Sequence, residues 1–76
     1  MLKTYTTLDE ALTQNGFKLS DVCIIGTHIM ARHYNNDTYI CHIKHENNLW
    51  CIDKCKQFEK EEAIGMMIAF AQNEIK

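Results

Sequence analysis

The fold is decided by residues 38–53, which read TYICHIKHENNLWCID. Apolar and polar side chains alternate from Tyr39 to His45, which is the two-residue period of a half-buried strand. Residues 46–48 (ENN) are turn formers, and residues 49–53 (LWCID) return to the side chains that favour strands. This stretch therefore predicts two antiparallel strands joined by a tight turn.

A third strand is predicted upstream of this hairpin. Residues 22–34 (VCIIGTHIMARHY) are rich in β-branched and aromatic types, and residues 35–37 (NND) form a second turn cluster. Two tight turns joining three strands make an antiparallel meander.

The alternation also predicts which strand residues share a face. A two- or four-residue loop at the second turn places Ile43 beside Trp50 and Ile52. The predicted core face then carries Ile25, Ile29, Ala31, Tyr39, Cys41, Ile43, Trp50 and Ile52. The opposite face carries His28, Met30, Arg32, His42, Lys44, Cys51 and Asp53. A one-residue slip in register would exchange the two faces of a strand.

A short helix is predicted before the strands, over residues 8–15. Thr7 and Glu10 have the spacing of a capping box at its start. Asn15 and Gly16 stop it, because glycine tolerates the left-handed conformation that ends helices, and we expect Phe17 to pack back onto it.

A longer helix is predicted over residues 57–76. Its inward stripe is expected to be Ile64, Met67, Ile68, Ala71 and Ile75, with a second apolar stripe of Ala63, Met66 and Phe70 beside it. Gly65 costs about 1 kcal/mol relative to alanine inside a helix, which suggests a close approach by another group. The sequence thus predicts one α+β domain over residues 1–76 with the order α-β-β-β-α. In it, a three-stranded antiparallel meander packs against a C-terminal amphipathic helix.

The charge distribution narrows the classes of partner. Net charge is −2, and residues 1–56 carry six basic and six acidic side chains, so the whole excess lies in the last helix. Proteins that bind nucleic acid or anionic membranes through phosphates normally carry a basic stripe. We therefore expect neither direct nucleic-acid binding nor membrane binding.

Four cysteines stand at positions 23, 41, 51 and 55. The N-terminus has no apolar core of the signal-peptide kind, and no stretch is long enough to cross a membrane. We therefore expect a cytoplasmic protein with reduced thiols.

A zinc site is one alternative. His42 and His45 precede Cys51 and Cys55, which are suitable ligand types, and His28 could join them from the same face as His42. The spacing matches no familiar zinc pattern, and alternation sends His42 and His45 to opposite faces. We therefore predict no metal and no cofactor, and we interpret Cys23 and Cys41 as small core hydrophobes and the histidines as ordinary exposed strand residues.

Cysteine-based catalysis is a second alternative, because Cys51 and His42 would lie close together across strands. The sequence offers no oxyanion loop and no substrate cleft to go with this pair. We predict no catalytic residue and no enzymatic activity.

An RNA-directed function is a third alternative. The order of helix, three strands and helix is that of double-stranded-RNA-binding domains. Residues 15–17 (NGF) and 26–28 (GTH) resemble motifs of the small HicA-type RNA-cleaving toxins. The resemblance implies a catalytic histidine at His28, near a basic cluster of Arg32 and Lys44. The other interpretation is that Gly26 marks a bulge or bend and His28 is an ordinary strand residue.

Protein binding is the function that the sequence favours most. The apolar arc of the last helix is broader than a three-stranded sheet covers, which would leave Met66 and Phe70 partly exposed. The predicted partner-binding residues are Glu59, Glu62, Met66, Phe70 and Glu74. A basic partner protein, or a second copy through the C-terminal helix, would use this surface. In size and charge the chain resembles anti-CRISPR proteins, which implies a phage or mobile-element inhibitor of a host nucleic-acid-handling complex.

Overall fold

The computed structural model describes the backbone of residues 3–75 and the side chains of residues 3–73. Its elements are α1 (Leu8–Gln14), β1 (Phe17–Ile25), β2 (His28–His33), β3 (Thr38–Glu46), β4 (Leu49–Phe58) and α2 (Lys60–Ile75). The strands form one antiparallel sheet in the order β1-β2-β3-β4. The α+β class and the C-terminal helix are confirmed, and the sheet has four strands rather than three.

The additional strand arises because the predicted strand over residues 22–34 is interrupted at Gly26. This glycine has a φ of +58°, and Ile25 pairs with His28 across a turn of two residues. Glycine at the first central position suits the tight hairpin turn whose twist matches that of the strands. Ile25 therefore points to the face opposite Ile29, and its predicted place on the core face is wrong.

The central hairpin is confirmed in register. Asn47 and Asn48 both adopt positive φ, at 54° and 62°, which is the conformation of a two-residue hairpin turn. Ile43 pairs with Ile52, as the alternation predicted.

The last strand is longer than expected. The register shifts between Ile40 and His42, and Lys54 opposite this break has a φ of +53°, which marks a β-bulge. Beyond the bulge β4 continues to Phe58, so α2 begins at Lys60 rather than at residue 57.

One face of the sheet is covered by α1. The buried side chains Ile29, Ala31, Cys41 and Ile52 lie together, as predicted, but they pack against α1 and Phe17 and not against the C-terminal helix. Thr7 caps α1 by accepting a hydrogen bond from the Glu10 amide at 3.1 Å. Gly16, with a φ of +87°, ends the helix and turns the chain into β1, which confirms the predicted stop.

The other face is covered by α2. Ile40, Ala63 and Met67 are buried there, and Ile25, Met30, Phe58, Met66 and Phe70 pack against them. Ile40 and Cys41 are consecutive on β3 and therefore enter different clusters on opposite faces. The expectation of one apolar and one polar face is wrong, because Met30, Ile40 and Phe58 make the second face apolar enough to bury a helix.

Within α2 the predicted inward stripe is only partly right: Met67 is buried as expected, but Ile64 and Ile68 are 38% and 53% exposed, and Ala63 from the second stripe is buried instead. Both stripes are apolar, so their period alone could not say which faces the sheet. Ala71 is half-buried, and the side chains of Ile75 and Glu74 lie outside the described residues.

Gly65 gives no sign of a close approach. A methyl group added there would meet no atom within 4 Å outside its own helix, so that expectation is also wrong. No helix within residues 3–75 combines the length and the apolar character needed to cross a bilayer.

Candidate functional site

Some of the predicted partner-binding residues are exposed, and others are half-buried. Glu59 and Glu62 are exposed, as a binding surface requires. Met66 and Phe70 are half-buried and pack against the cluster of Ile40, Ala63 and Met67. They offer a partner only part of their surface, and Glu74 falls beyond the described side chains.

The surface that α2 does expose is a different set of residues, two isoleucines and a glutamate. Glu61, Ile64 and Ile68 are spaced three and four residues apart, so they follow one another along one side of the helix. All three are exposed. We call these three residues the outer stripe of α2. Ile64 and Ile68 had been assigned to the core from their apolar spacing, so the sequence showed them as a pair but placed them on the wrong side of the helix.

His28 lies under α2 and is half-buried. Its ring stacks on Phe70 with centroids 4.1 Å apart and an interplanar angle of 16°, and it meets His42 edge-on at 4.4 Å. These contacts hold the imidazole between the helix and the sheet. A histidine that cleaves RNA needs room for a substrate beside the ring, and α2 occupies one face of this one.

The two basic residues expected beside His28 are each matched by a carboxylate. Arg32 Nε lies 3.0 Å from Asp21 Oδ2, and Lys44 Nζ lies 3.9 Å from Asp53 Oδ2. Both pairs are partly solvent-exposed, so each contributes little to stability. Each positive charge is nevertheless offset by a neighbouring carboxylate, which makes Arg32 and Lys44 a poorer site for a phosphate group.

Of the possible zinc ligands, His28 and His42 lie side by side, but no third ligand joins them within residues 3–73. Among the described residues, no three His, Cys, Asp or Glu side chains are grouped so that they could hold a metal ion. Cys51 is buried and pairs with Lys44, which leaves it diagonal to His42 rather than opposite it.

Cys55 forms a disulfide with Cys41, so the expectation that the cysteines are all reduced is wrong for this pair. The bulge at Lys54 is the reason, because it returns Cys55 to the face that Cys41 occupies. Cys41 is buried as expected, but Cys23 is a free, exposed thiol, so its predicted place in the core is wrong. The cytoplasmic location stays a prediction.

Two surface clefts accompany these features. A polar cleft of about 250 Å³ lies between the β2–β3 turn and the start of α2, and the Asp21–Arg32 pair lines it. A more apolar groove of about 390 Å³ lies on the α1 face between the two hairpin turns, with Ile24 at its rim. There, His45 stacks on Trp50 with ring centroids 3.9 Å apart.

The chain was compared with protein-family models, curated proteins and solved structures, and none of them matches it. Function is therefore inferred from the residues of this chain alone.

Proposed function

We propose that this protein is a non-enzymatic protein-binding module whose partner docks on the outer stripe of α2. The observation that carries the proposal is the exposure of Ile64 and Ile68, four residues apart, on a helix whose opposite side is already packed. Neighbouring exposed isoleucines on one helix face are typical of a protein-interaction surface rather than of a solvated one.

The charge around the stripe favours a basic partner. Glu61 belongs to the stripe, and Glu59 and Glu62 lie nearby at the start of α2, so the apolar patch is bordered by negative charge. Complementary charge at the rim of an interface raises the rate of encounter and excludes partners of the same sign. Surfaces that bind nucleic acid are basic, which makes a nucleic-acid-handling protein the partner that this patch fits best.

Binding of this acidic, apolar surface to the basic surface of such a partner would inhibit the partner. A small rigid protein that covers a basic nucleic-acid-binding surface competes with nucleic acid without any catalytic step. This is the mode of action implied by the similarity in size and charge to anti-CRISPR proteins. A phage or mobile-element origin would fit the same mechanism.

Affinity capture from an extract of the source cell, repeated with an Ile68→Asp variant, tests the proposal. We expect the native protein to retain a basic nucleic-acid-handling protein and Ile68→Asp to bind it about tenfold more weakly or worse, as is usual at an interface hot spot. Titrating the native protein into the purified partner should then release bound DNA or RNA.

A matched control replaces an exposed side chain elsewhere. Tyr34 is 56% exposed just beyond β2, so Tyr34→Ser should leave the affinity unchanged. Charge reversal of both Glu59 and Glu62 should slow association. Undiminished binding by Ile68→Asp and by the double charge reversal would refute the proposed surface.

A further inference from the structure

β1 forms one edge of the sheet and pairs only with β2 on its inner side. Within residues 3–75 no backbone segment bonds to its outer side. The part nearest the turn, residues 22–25 (VCII), is uncharged and is regularly paired with β2. It contains none of the lysines, prolines or bulges with which proteins normally protect an edge strand.

The opposite edge is protected. Tyr5 forms an antiparallel bridge with Trp50, and the two residues exchange backbone hydrogen bonds of 2.8 and 2.7 Å. Further along, β4 carries the bulge at Lys54 and a second lysine at position 56. The contrast marks residues 22–25 of β1 as the stretch of edge left available for pairing, bounded on its N-terminal side by the register shift between Lys18 and Val22.

The register of the β1–β2 hairpin defines which backbone groups face outward. Ile25 and His28 flank the two-residue turn, so they form the hydrogen-bonded pair that closes it. Hydrogen-bonded and non-hydrogen-bonded pairs alternate along an antiparallel ladder. The N–H and C=O groups of Val22 and Ile24 therefore point away from β2, while those of Cys23 point toward it.

We propose that β1 is the interface of a homodimer in which two copies pair their β1 strands antiparallel across a two-fold axis at Cys23. Val22 of one copy then lies opposite Ile24 of the other and exchanges both hydrogen bonds with it, on each side of the axis. The result is one continuous sheet of eight strands. Ile24, which is 47% exposed in the single chain, is covered by the pairing.

A second copy suits this edge for two reasons. The arrangement of outward groups is self-complementary about Cys23, which a two-fold interface requires. The charges agree as well, because residues 22–25 carry none and the adjacent Asp21 is matched by Arg32 within its own chain. In this register Asp21 lies opposite Ile25 of the other copy, so no two like charges meet.

In this register the two Cys23 thiols lie close together, so a disulfide between them would show that the interface forms. They would form a non-hydrogen-bonded pair, whose Cα atoms lie about 4.5 Å apart, within reach of a disulfide. Copper-phenanthroline, which oxidises neighbouring thiols, should therefore link two chains of 8.9 kDa through Cys23. As a control, the combined Cys23→Ser and Glu46→Cys changes move the exposed thiol to the far end of β3, where we expect no link.

Sedimentation equilibrium without added oxidant or reductant, which leaves the Cys41–Cys55 disulfide closed, tests the pairing without any introduced cross-link. We expect a dimer at millimolar protein concentration, and a monomer for Ile24→Pro. Proline removes an outward N–H that β2 does not use, so circular dichroism of Ile24→Pro should remain native. The matched control Ile68→Lys alters the outer stripe of α2 and should stay dimeric.

A native chain that is monomeric at millimolar concentration would overturn the proposal. So would a dimer that survives Ile24→Pro, or equal cross-linking of the Cys23 and Glu46→Cys thiols. A dimer lost in Ile68→Lys but kept in Ile24→Pro would assign self-association to α2 instead. These results concern β1 and leave the test of the proposed function, which depends on capture of a basic partner, separate.

Discussion

Two glycines of this chain lie in very different structural surroundings. Gly16 has a left-handed φ of +87°, and a Cβ added there would lie 2.5 Å from Nε2 of His33. Gly65 lies inside α2 with nothing within 4 Å of the same probe position. The sequence predicted the role of Gly16 from its place after a helix. It misjudged Gly65, because a helix sequence does not say which side is open.

Alanine at these two positions should therefore have opposite effects. Gly16→Ala forces a side chain into the left-handed region, at about 1–2 kcal/mol, and also displaces His33. Gly65→Ala should stabilise the protein by roughly 0.5–1 kcal/mol, because it removes backbone freedom from the unfolded chain. Urea denaturation of both variants measures the difference, and a destabilised Gly65→Ala would show that something does pack against that side of α2.

A third residue-scale prediction concerns the turn between β3 and β4. Asn48 has a φ of 62°, a value that glycine adopts at lower cost than any other residue. Asn48→Gly should raise the free energy of unfolding by a few tenths of a kcal/mol, whereas Asn48→Val should lower it. Equal stability of the two variants would mean that the turn relaxes to another conformation.

At the scale of elements, the alternation of side chains and the turn residues predicted the β3–β4 hairpin and α1 correctly. The predicted lengths of β4 and α2 were wrong. The β3–β4 hairpin, α1 with its cap, and the shared face of Ile29, Cys41 and Ile52 could all be predicted. The bulge at Lys54 could not, because a left-handed lysine leaves no signature in sequence. The bulge in turn extended β4, moved the start of α2 and brought Cys55 to Cys41.

The Cys41–Cys55 disulfide should contribute measurably to the β3–β4 hairpin. It joins residues 14 apart, and closing a loop of that length in the unfolded chain is worth about 3 kcal/mol in the chain-entropy description. Reductant should lower the free energy of unfolding by about that amount, and Cys55→Ser should do the same without reductant. Cys23→Ser serves as the control and should change nothing, since Cys23 is exposed and unpaired in the single chain.

The whole molecule consists of one sheet between two helices, with a separate apolar cluster on each face. The sequence suggested a single cluster, since it offered one helix long enough to cover a sheet. α1 has only seven residues, yet with Phe17 it covers one face and leaves the other to α2. The candidate site changed as well, because the buried side of α2 runs through Ala63 and Met67 and leaves Ile64 and Ile68 exposed.

The two clusters should unfold together. Both clusters include a residue of β3, because Ile40 and Cys41 are consecutive and point to opposite faces. A chain of 76 residues also has a small free energy of unfolding, which is too little for two independently stable units. Leu12→Ala and Met67→Ala remove buried side chains from opposite faces, and each should cost about 2–5 kcal/mol.

Two probes can follow the two sides separately. Trp50 fluorescence reports the face covered by α1, and far-ultraviolet circular dichroism is dominated by α2. Coincident transitions in both variants would support a single cooperative unit, whereas separate midpoints would show that each helix melts with its own cluster.

The bridge between Tyr5 and Trp50 has a consequence for how far assembly can proceed. A sheet with two available edges can add a copy at each and grow into a fibre without a natural end. A sheet with one available edge is complete after a single pairing, because the new particle presents only protected edges. In a dimer paired through β1, the Tyr5–Trp50 bridge and the bulge at Lys54 would therefore together end the assembly at two copies.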